Sequence, residues 1–292
     1  MASRTKIKPL IVIVGVTGSG KSDLALRVAQ TFNGEIIATD SRTVFNELDI
    51  GTAKPSKTDQ KHTAHHLLNI TTPDKPITVV QFKRRAMKSI SQINHRGKIP
   101  ILVGGSGLYI DAVIFDYTFR PAPDPVKRQQ LEKLTVEQLQ STIKENNIKL
   151  PLNAYNKRHL IRTLETKGVI PTKQDLRSNT IIIGLNVSKD DLKKRLAKRA
   201  ESMLERGLIK ETISVANKYG WEIEALHAPA YRSVRQYLDK QICKNEIIDQ
   251  CVRLDLQLAK KQRTWFKRNK SIQWVDKQIQ AVDIITTFLN KQ

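Results

Sequence analysis

Apolar runs along the chain alternate with segments of helical periodicity. The runs that predict strands are residues 10–14, 35–39, 99–103, 180–185 and 272–275. The first run is unbroken and rich in β-branched residues, which is typical of a strand buried on both faces of a parallel sheet. Apolar residues then recur at helical spacing in residues 24–29 and 78–94. The pattern predicts an α/β fold with a parallel sheet core flanked by helices.

The alternation stops near residue 120. Pro121, Pro123 and Pro125 interrupt it, and a polar, mostly helical stretch extends to about residue 178. We therefore predict two domains. The α/β core is formed by residues 1–119 and 179–292, and residues 120–178 form a helical insertion domain.

Composition narrows the class of protein. The chain has 292 residues, 39% hydrophobic and 27% charged, as in a soluble globular protein. Its apolar runs are far shorter than the ~20 residues that span a bilayer. Cys243 and Cys251 are too few for a disulfide framework or a zinc site, so we expect two reduced thiols in a cytoplasmic protein.

Net charge is the most informative feature of the composition. Fifty Lys and Arg residues stand against 28 Asp and Glu residues, which gives +22 at pH 7. Such an excess indicates a polyanionic partner, nucleic acid above all. A generally basic proteome is the alternative explanation.

A glycine-rich segment joins the first predicted strand to the first predicted helix and fits the pattern G-x-x-x-x-G-K-[ST]. This P-loop comprises Gly15, Val16, Thr17, Gly18, Ser19, Gly20, Lys21 and Ser22. Its backbone N–H groups would surround a diphosphate or triphosphate, with Lys21 at the terminal phosphates and Ser22 on Mg²⁺. A turn without a ligand is the alternative. With this loop, the predicted α/β fold is a P-loop NTPase-like parallel sheet core flanked by helices. The motif alone does not identify the phosphate compound.

Asp40 follows the second predicted strand, where ligands of parallel sheets bind. Its carboxylate could accept a proton from a nucleophile or hold Mg²⁺ through water. An N-cap of a following helix is an equally simple interpretation.

Motifs beyond the P-loop resemble the tRNA dimethylallyltransferase family. The matches occur in the family's order, cover nearly the whole chain, and include the specific heptapeptide D-I-G-T-A-K-P. They lie at residues 39–42, 49–55, 65–67, 103–109, 156–165, 231–232 and 257–266.

The resemblance implies transfer of a dimethylallyl group from dimethylallyl diphosphate to N6 of adenosine 37, in tRNAs that read codons beginning with U. The P-loop would then hold the leaving diphosphate, with Mg²⁺ as cofactor, and Lys21 would stabilise its charge. Asp40 matches the general base. Ser106 matches a family Thr whose hydroxyl assists near the reacting centre, and Arg199 matches an arginine that contacts the diphosphate.

The resemblance also implies a tRNA anticodon stem-loop as partner. The adenine of that loop would be extruded into a channel through the protein, and the insertion would close over the stem-loop. The aligned tRNA-binding residues are Asp40, Ser41, Arg42, Thr43, Ser106, Arg128, Arg158, His159, Leu160, Ile161, Arg162, His227, Tyr231 and Arg232. His159 and His227 stand where the family often has Arg, so either contact could be weaker or pH-dependent. We expect a monomer of the compact bacterial type, without a C-terminal zinc finger or a membrane partner.

Three other functions remain open from the sequence. An adenylate isopentenyltransferase acting on free AMP, ADP or ATP would need neither the insertion nor the +22 charge. A P-loop kinase could use Asp40 for Mg²⁺ but would leave the heptapeptide unexplained. A tRNA-binding scaffold would have no need of intact Lys21, Ser22 and Asp40.

Overall fold

The structure is a computed structural model that describes residues 8–120, 122 and 124–291. Pro121 and Pro123, on which the predicted start of the insertion partly rests, lie outside the described residues. The chain divides into two compact units. The large unit comprises Met1–Ile114 and Leu176–Gln292, and the small unit comprises Phe115–Asp175.

Within the described residues, the large unit contains a six-stranded, wholly parallel sheet. The strands are β1 Leu10–Gly15, β2 Gly34–Ala38, β3 His65–His66, β4 Ile99–Gly104, β5 Thr180–Leu185 and β6 Ile272–Val275. Their spatial order is β3-β2-β4-β1-β5-β6. The predicted parallel sheet is confirmed. Strand β3 was not predicted, because two histidines carry no apolar pattern and pair only by backbone contacts with Ile36 and Ile37.

Helices of the large unit surround this sheet. They are α1 Lys21–Thr31, α2 Lys57–His62, α3 Val79–His95, α4 Gly107–Ile114, α8 Lys189–Glu205, α9 Leu208–Tyr219, α10 Pro229–Leu238, α11 Ile247–Phe266 and α12 Gln278–Asn290. The small unit contains the three intervening helices, α5 Pro125–Glu132, α6 Val136–Glu145 and α7 Lys157–Glu165. Helix α3 begins with a capping box in which Thr78 and Gln81 exchange hydrogen bonds. None of the described helices is long and apolar enough to cross a membrane.

Both faces of the sheet are covered, which explains the unbroken apolar runs. Ile11 and Ile13 of β1 pack in one cluster with Leu24 and Val28 of α1 and with Ile285 of α12. The alternate residues of β1 point to the opposite face, which α3 and α11 contact through β4 and β1. All residues of β1 are buried. The sheet therefore presents chemistry only at its edges and strand ends.

The small unit has its own core. Leu139, Ile143, Leu160, Ile161 and Leu164 are buried together between α6 and α7. The helices begin at side-chain caps from Asp124, Thr135 and Asn156. This unit is therefore a helical bundle built of local contacts.

Glu35 lies near the start of β2, at the amino-terminal end of the parallel strands, and joins three segments there. The carboxylate is buried, 4% exposed, and pairs with Arg96 at 2.6 Å, His66 at 2.7 Å and Lys98 at 3.1 Å. Burial alone would raise the pKa of Glu35, but the hydrogen bonds from Arg96, His66 and Lys98 outweigh burial and lower it to about 2. The ionised carboxylate therefore stabilises β2, β3 and the turn before β4.

Replacing Glu35 by Gln should lower the free energy of unfolding at neutral pH by about 2–3 kcal/mol. The folded pKa lies below the ordinary value of 4.5, so the stabilisation is present above pH 4.5 and is lost as pH falls towards 2. Urea denaturation across this range should show wild type and Glu35→Gln converging at low pH. Glu201→Gln, an exposed charge change on α8, is the control. A difference that does not shrink with pH would contradict the assignment.

Candidate active site

The P-loop lies between β1 and α1, and most of its residues from Thr17 to Ser22 line a cavity of about 780 Å³. Gly18 and Gly20 adopt positive φ angles of 74° and 90°, which favour glycine. Gly20 occupies the N-cap of α1 and supplies no side-chain cap, which leaves the first N–H groups of the helix available to an anionic ligand. The Ser19 hydroxyl is buried and has no hydrogen-bond partner among the described residues. The loop has the backbone and hydroxyl donors that a phosphate group needs.

Lys21 begins α1, and its ammonium group donates to the Val16 carbonyl at 3.3 Å. Desolvation by the surrounding protein lowers the pKa of Lys21 to about 8; Asp40 opposes this shift and Arg199 adds to it. A weakly solvated ammonium gains more from an anionic ligand than an exposed one does. The site thus has a cation prepared for a phosphate.

Asp40 follows β2, and its Oδ1 accepts the Arg42 N–H at 2.8 Å. Residues 41–44 form turns rather than a helix, so the helix N-cap interpretation is wrong. The Ser106 hydroxyl accepts the Ser41 N–H at 3.1 Å, while the Ser106 N–H donates to the Thr39 carbonyl at 3.3 Å. The ends of β2 and β4 thereby hold Asp40 and Ser106 close together.

Arg199 reaches the P-loop from α8. It donates to the Thr17 hydroxyl at 2.8 Å and pairs with Asp255 of α11 at 2.6 Å. Burial raises the pKa of Asp255, and the charge and hydrogen bond of Arg199 oppose that rise. Because Asp255 is 8% exposed, the pair holds a cation beside the P-loop at a defined position.

Gln262 of α11 bridges the two loops of the site. Its Oε1 accepts the Thr17 N–H at 2.8 Å, and its Nε2 donates to the Gly105 carbonyl at 3.2 Å. From the other side, Arg195 donates to the Ser19 carbonyl at 3.1 Å and Gln278 to the Gly20 carbonyl at 3.3 Å. Side chains from α8, α11 and α12 therefore brace the P-loop.

Two cavities meet beside Asp40. The first, described above, is lined by Lys21 and Ser22. The second has a volume of about 390 Å³ and is lined by Ser106, His227, Arg232 and Lys261 among others. The residues that line both are Thr17, Asp40, Thr52, Ala53 and Arg199. Two different reactants could therefore approach Asp40 from two directions.

Several of the predicted tRNA-binding residues surround the second cavity. Ser41 and Arg42 are half-buried, and the Arg42 guanidinium donates to the Glu224 carbonyl at 2.6 Å. His227 and Arg232 are exposed. Thr43 and Tyr231 are buried, and Tyr231 is 0% exposed. Direct contact with a large ligand is thus open to the first four side chains, whereas Tyr231 supports its neighbours.

The remaining predicted tRNA-binding residues belong to the small unit. Arg128 and Arg162 pair with Glu165 at 2.8 and 2.9 Å, and Arg158 and His159 are exposed on α7. Leu160 and Ile161 are 0% and 5% exposed, so their side chains form the core of the unit and do not contact a ligand. The helical period explains this division, because residues 158 and 159 fall on the exposed face of α7 and residues 160 and 161 on its buried face.

The described residues contain no cluster of three or more His, Cys, Asp or Glu side chains that could hold a metal ion. Ser22 and Asp40 nevertheless line the same cavity. Hydroxyl and carboxylate oxygens suit Mg²⁺, which usually takes only one or two protein ligands and completes its shell with water and phosphate. The residues present therefore fit Mg²⁺ bound together with a phosphate compound.

Sequence reasoning missed residues that act across long separations in the chain. Gln262 lies in a matched motif without a predicted role, and Asp255 and Gln278 carried no local signal. Glu211, half-buried on α9, was also missed, although it accepts N–H groups of the D-I-G-T-A-K-P heptapeptide. The helical spacing of Arg195 and Arg199 was the one available signal, because it places both on the same face of α8.

Comparison with known proteins gives a consistent result. A family model described as IPP transferase matches residues 43–269. A tRNA dimethylallyltransferase of Anoxybacillus flavithermus is 35% identical over 91% of this chain and 90% of its own length.

Solved structures agree with that match. A tRNA isopentenylpyrophosphate transferase of Bacillus halodurans superposes with a TM-score of 0.76 at 30% identity, over 98% of both chains. A eukaryotic dimethylallyltransferase acting on tRNA superposes with a TM-score of 0.78 at 23% identity, over 98% of this chain and 80% of that chain, and so shares the fold.

Binding of inorganic pyrophosphate should weaken as pH rises above about 8, because Lys21 then loses its charge. Lys21→Arg keeps a cation throughout the accessible range and should remove this dependence. Isothermal titration calorimetry from pH 6.5 to 9.5 compares the two proteins, and the ionisation of pyrophosphate itself is common to both. Parallel curves would refute the role of the Lys21 ammonium.

Arg199→Ala should lower the free energy of unfolding by about 2–3 kcal/mol, because it leaves the buried Asp255 carboxylate without its cation. Arg199→Ala/Asp255→Asn should recover most of this stability but should still bind pyrophosphate roughly tenfold more weakly than wild type. Urea denaturation and calorimetry measure the two effects. Recovery of pyrophosphate affinity in the double variant would show that Arg199 acts only through folding.

Proposed function

Since this chain belongs to the IPP transferase family, we propose that it transfers a dimethylallyl group from dimethylallyl diphosphate to N6 of adenosine 37 in tRNA. The acceptors are tRNAs that read codons beginning with U, and the products are N6-dimethylallyladenosine and diphosphate. The family resemblance inferred from the sequence is confirmed by the relatives. They favour tRNA modification over the adenylate isopentenyltransferase, kinase and scaffold alternatives.

The position of Asp40 is the observation that carries the proposal. Asp40 lines both cavities, one beside the P-loop and one beside Ser106, His227 and Arg232. A transferase with one phosphorylated donor and one large acceptor needs such a junction, because the reacting atoms must meet while the rest of each substrate lies apart. A P-loop enzyme that hydrolyses a single nucleotide would not need the second opening.

The reaction follows from these positions. The carbon–oxygen bond of dimethylallyl diphosphate breaks and a carbon–nitrogen bond to N6 of adenine forms. Asp40 accepts the N6 proton, and the diphosphate leaves with the bonding electrons. Lys21, Arg199 and the P-loop N–H groups stabilise the negative charge that develops on the leaving group. The Ser106 hydroxyl helps to orient the reacting groups.

Ser22 and Asp40 would hold Mg²⁺ in this site, directly from the hydroxyl and through water from the carboxylate. Bound there, Mg²⁺ would neutralise charge on the leaving diphosphate. Dimethylallyl diphosphate itself fits the first cavity because its charged end matches the P-loop and its allyl end would extend towards Asp40.

An anticodon stem-loop fits the remaining features. Extruding one base from a single-stranded loop is less costly than from a duplex, and the second cavity can receive it. The net charge of +22 provides attraction to the phosphate backbone. We assign backbone contacts to Arg158 and His159 of the small unit and to Arg232 and His227 of the large unit. We place this monomeric enzyme in the cytoplasm, where tRNA is modified.

The test uses purified protein, Mg²⁺, an unmodified stem-loop with adenosines at positions 36–38, and labelled dimethylallyl diphosphate. Wild type should label adenosine 37. Asp40→Ala should lower the rate roughly 10²–10⁴-fold, because the positioned base is lost. Asp283→Asn, an exposed carboxylate change on α12, should retain full activity.

Two competing reactions are measured in parallel. AMP is added as a rival acceptor, and γ-labelled ATP is supplied as a rival donor. Prenyl label confined to AMP would assign the chain to the free-nucleotide branch. Phosphate transfer from ATP without prenylation would refute the proposal.

A further inference from the structure

The D-I-G-T-A-K-P heptapeptide forms a loop, residues 49–55, that is a wall of both cavities. Thr52 and Ala53 of this 49–55 loop line the first and the second cavity together with Asp40. No regular helix or strand includes residues 49–55. Its shape therefore depends on contacts made by other segments.

Glu211 of α9 supplies the main contact. Its Oε2 accepts the Asp49 N–H at 2.9 Å and the Ile50 N–H at 2.8 Å. Its Oε1 accepts the Gly51 N–H at 3.0 Å and the Tyr231 hydroxyl at 2.8 Å. Three consecutive backbone amides and a phenol therefore converge on one carboxylate, and hydrogen bonds to a charged acceptor are the strong ones.

Tyr231 extends this contact to the loop itself. Burial, the nearby Glu211 charge and the hydrogen bond to Glu211 all raise the pKa of Tyr231, so its hydroxyl remains a donor. The ring lies against Gly51, where a Cβ atom would come within 2.5 Å of the ring carbons. Only glycine allows the backbone to pass this close to the ring. The Tyr231 ring and the Glu211 carboxylate together therefore fix the position of the loop.

Lys54 closes the loop from the opposite end. Its side chain is 3% exposed and donates to the Phe45 carbonyl at 2.5 Å, to Asp49 at 2.7 Å and to Asn69 at 2.5 Å. Residues 52 and 53 thus lie between two polar anchors, the half-buried Glu211 and the buried Lys54. Displacement of either anchor would move the wall that faces Asp40.

We propose that Glu211, acting with Tyr231, is a positioning residue that holds the 49–55 loop against Asp40 and so aligns the two reactants. The catalytic part of this inference rests on the proposed function. Glu211 lies outside the lining of both cavities, and the four groups that donate to it are three loop amides and the Tyr231 hydroxyl rather than a substrate. It should therefore affect the rate of the chemical step more than the affinity for either substrate.

Hydrogen–deuterium exchange tests the loop-holding part without any substrate. Glu211→Gln keeps the shape of the side chain but turns an NH₂ group towards backbone donors, so the amides of residues 49–51 should exchange roughly tenfold faster or more. The matched control Glu201→Gln, exposed on α8, should leave them unchanged. Unchanged exchange in Glu211→Gln would overturn the inference whatever the enzyme's activity proves to be.

Steady-state kinetics with the stem-loop test the catalytic part. Glu211→Gln should lower kcat roughly tenfold while KM for RNA and the Kd for pyrophosphate stay within about twofold of wild type. Tyr231→Phe, which removes one of the four donors and keeps the ring, should lower kcat about threefold in the same way. Tyr231→Phe also tests the proposal if Glu211→Gln does not fold.

The split between kcat and KM separates positioning from RNA contact. A rise in KM for RNA with unchanged kcat in either variant would assign these residues to tRNA binding and overturn their positioning role. Unchanged kcat together with faster amide exchange would overturn the catalytic part. A wild-type protein without prenyl transfer would refute the proposed function, while the exchange result would still decide whether Glu211 holds the loop.

Discussion

Parallel pairing of β2, β4 and β1 determines where chemistry can occur in this protein. Val14 lies opposite Gly104, and Ala38 lies opposite Val103, so the three strands end at the same level. Gly104 is required there because any Cβ atom would collide with the backbone of Thr39. The P-loop, Asp40 and Ser106 each follow one of these strands immediately. Their proximity is therefore a consequence of sheet register before any side chain contributes.

Strand ends alone would leave these loops mobile, since loops have few contacts of their own. The second half of the large unit provides the missing constraints. Helices α8 and α11 bring Arg199, Asp255 and Gln262 to the P-loop, and α9 brings Glu211 to the 49–55 loop. Each of these contacts joins residues more than 50 positions apart. The site is thus rigid only when the whole large unit is folded.

The sequence was sufficient for five of the six described strands, because apolar runs and glycine-rich turns are local signals, but the two histidines of β3 gave no such signal. It also located Lys21, Asp40 and Ser106, since a motif or a strand end marks each of them. It did not reveal Asp255, Gln262 or Glu211 as site residues, because polar residues on a helix carry no sign of what they contact. Burial of Leu160, Ile161 and Tyr231 was likewise hidden within matched motifs, where a shared sequence reports a shared fold as readily as a shared contact.

A P-loop suits prenyl transfer for a physical reason. In both phosphoryl transfer and prenyl transfer, negative charge grows on phosphate oxygens in the transition state, and the loop amides and Lys21 stabilise it. What differs is the atom that is attacked. Here Asp40 lines both the cavity beside the P-loop and a second opening, which Ser106 and basic side chains also line. In the proposed reaction the diphosphate would therefore be held as a leaving group, and specificity for the acceptor would depend on the lining of the second opening.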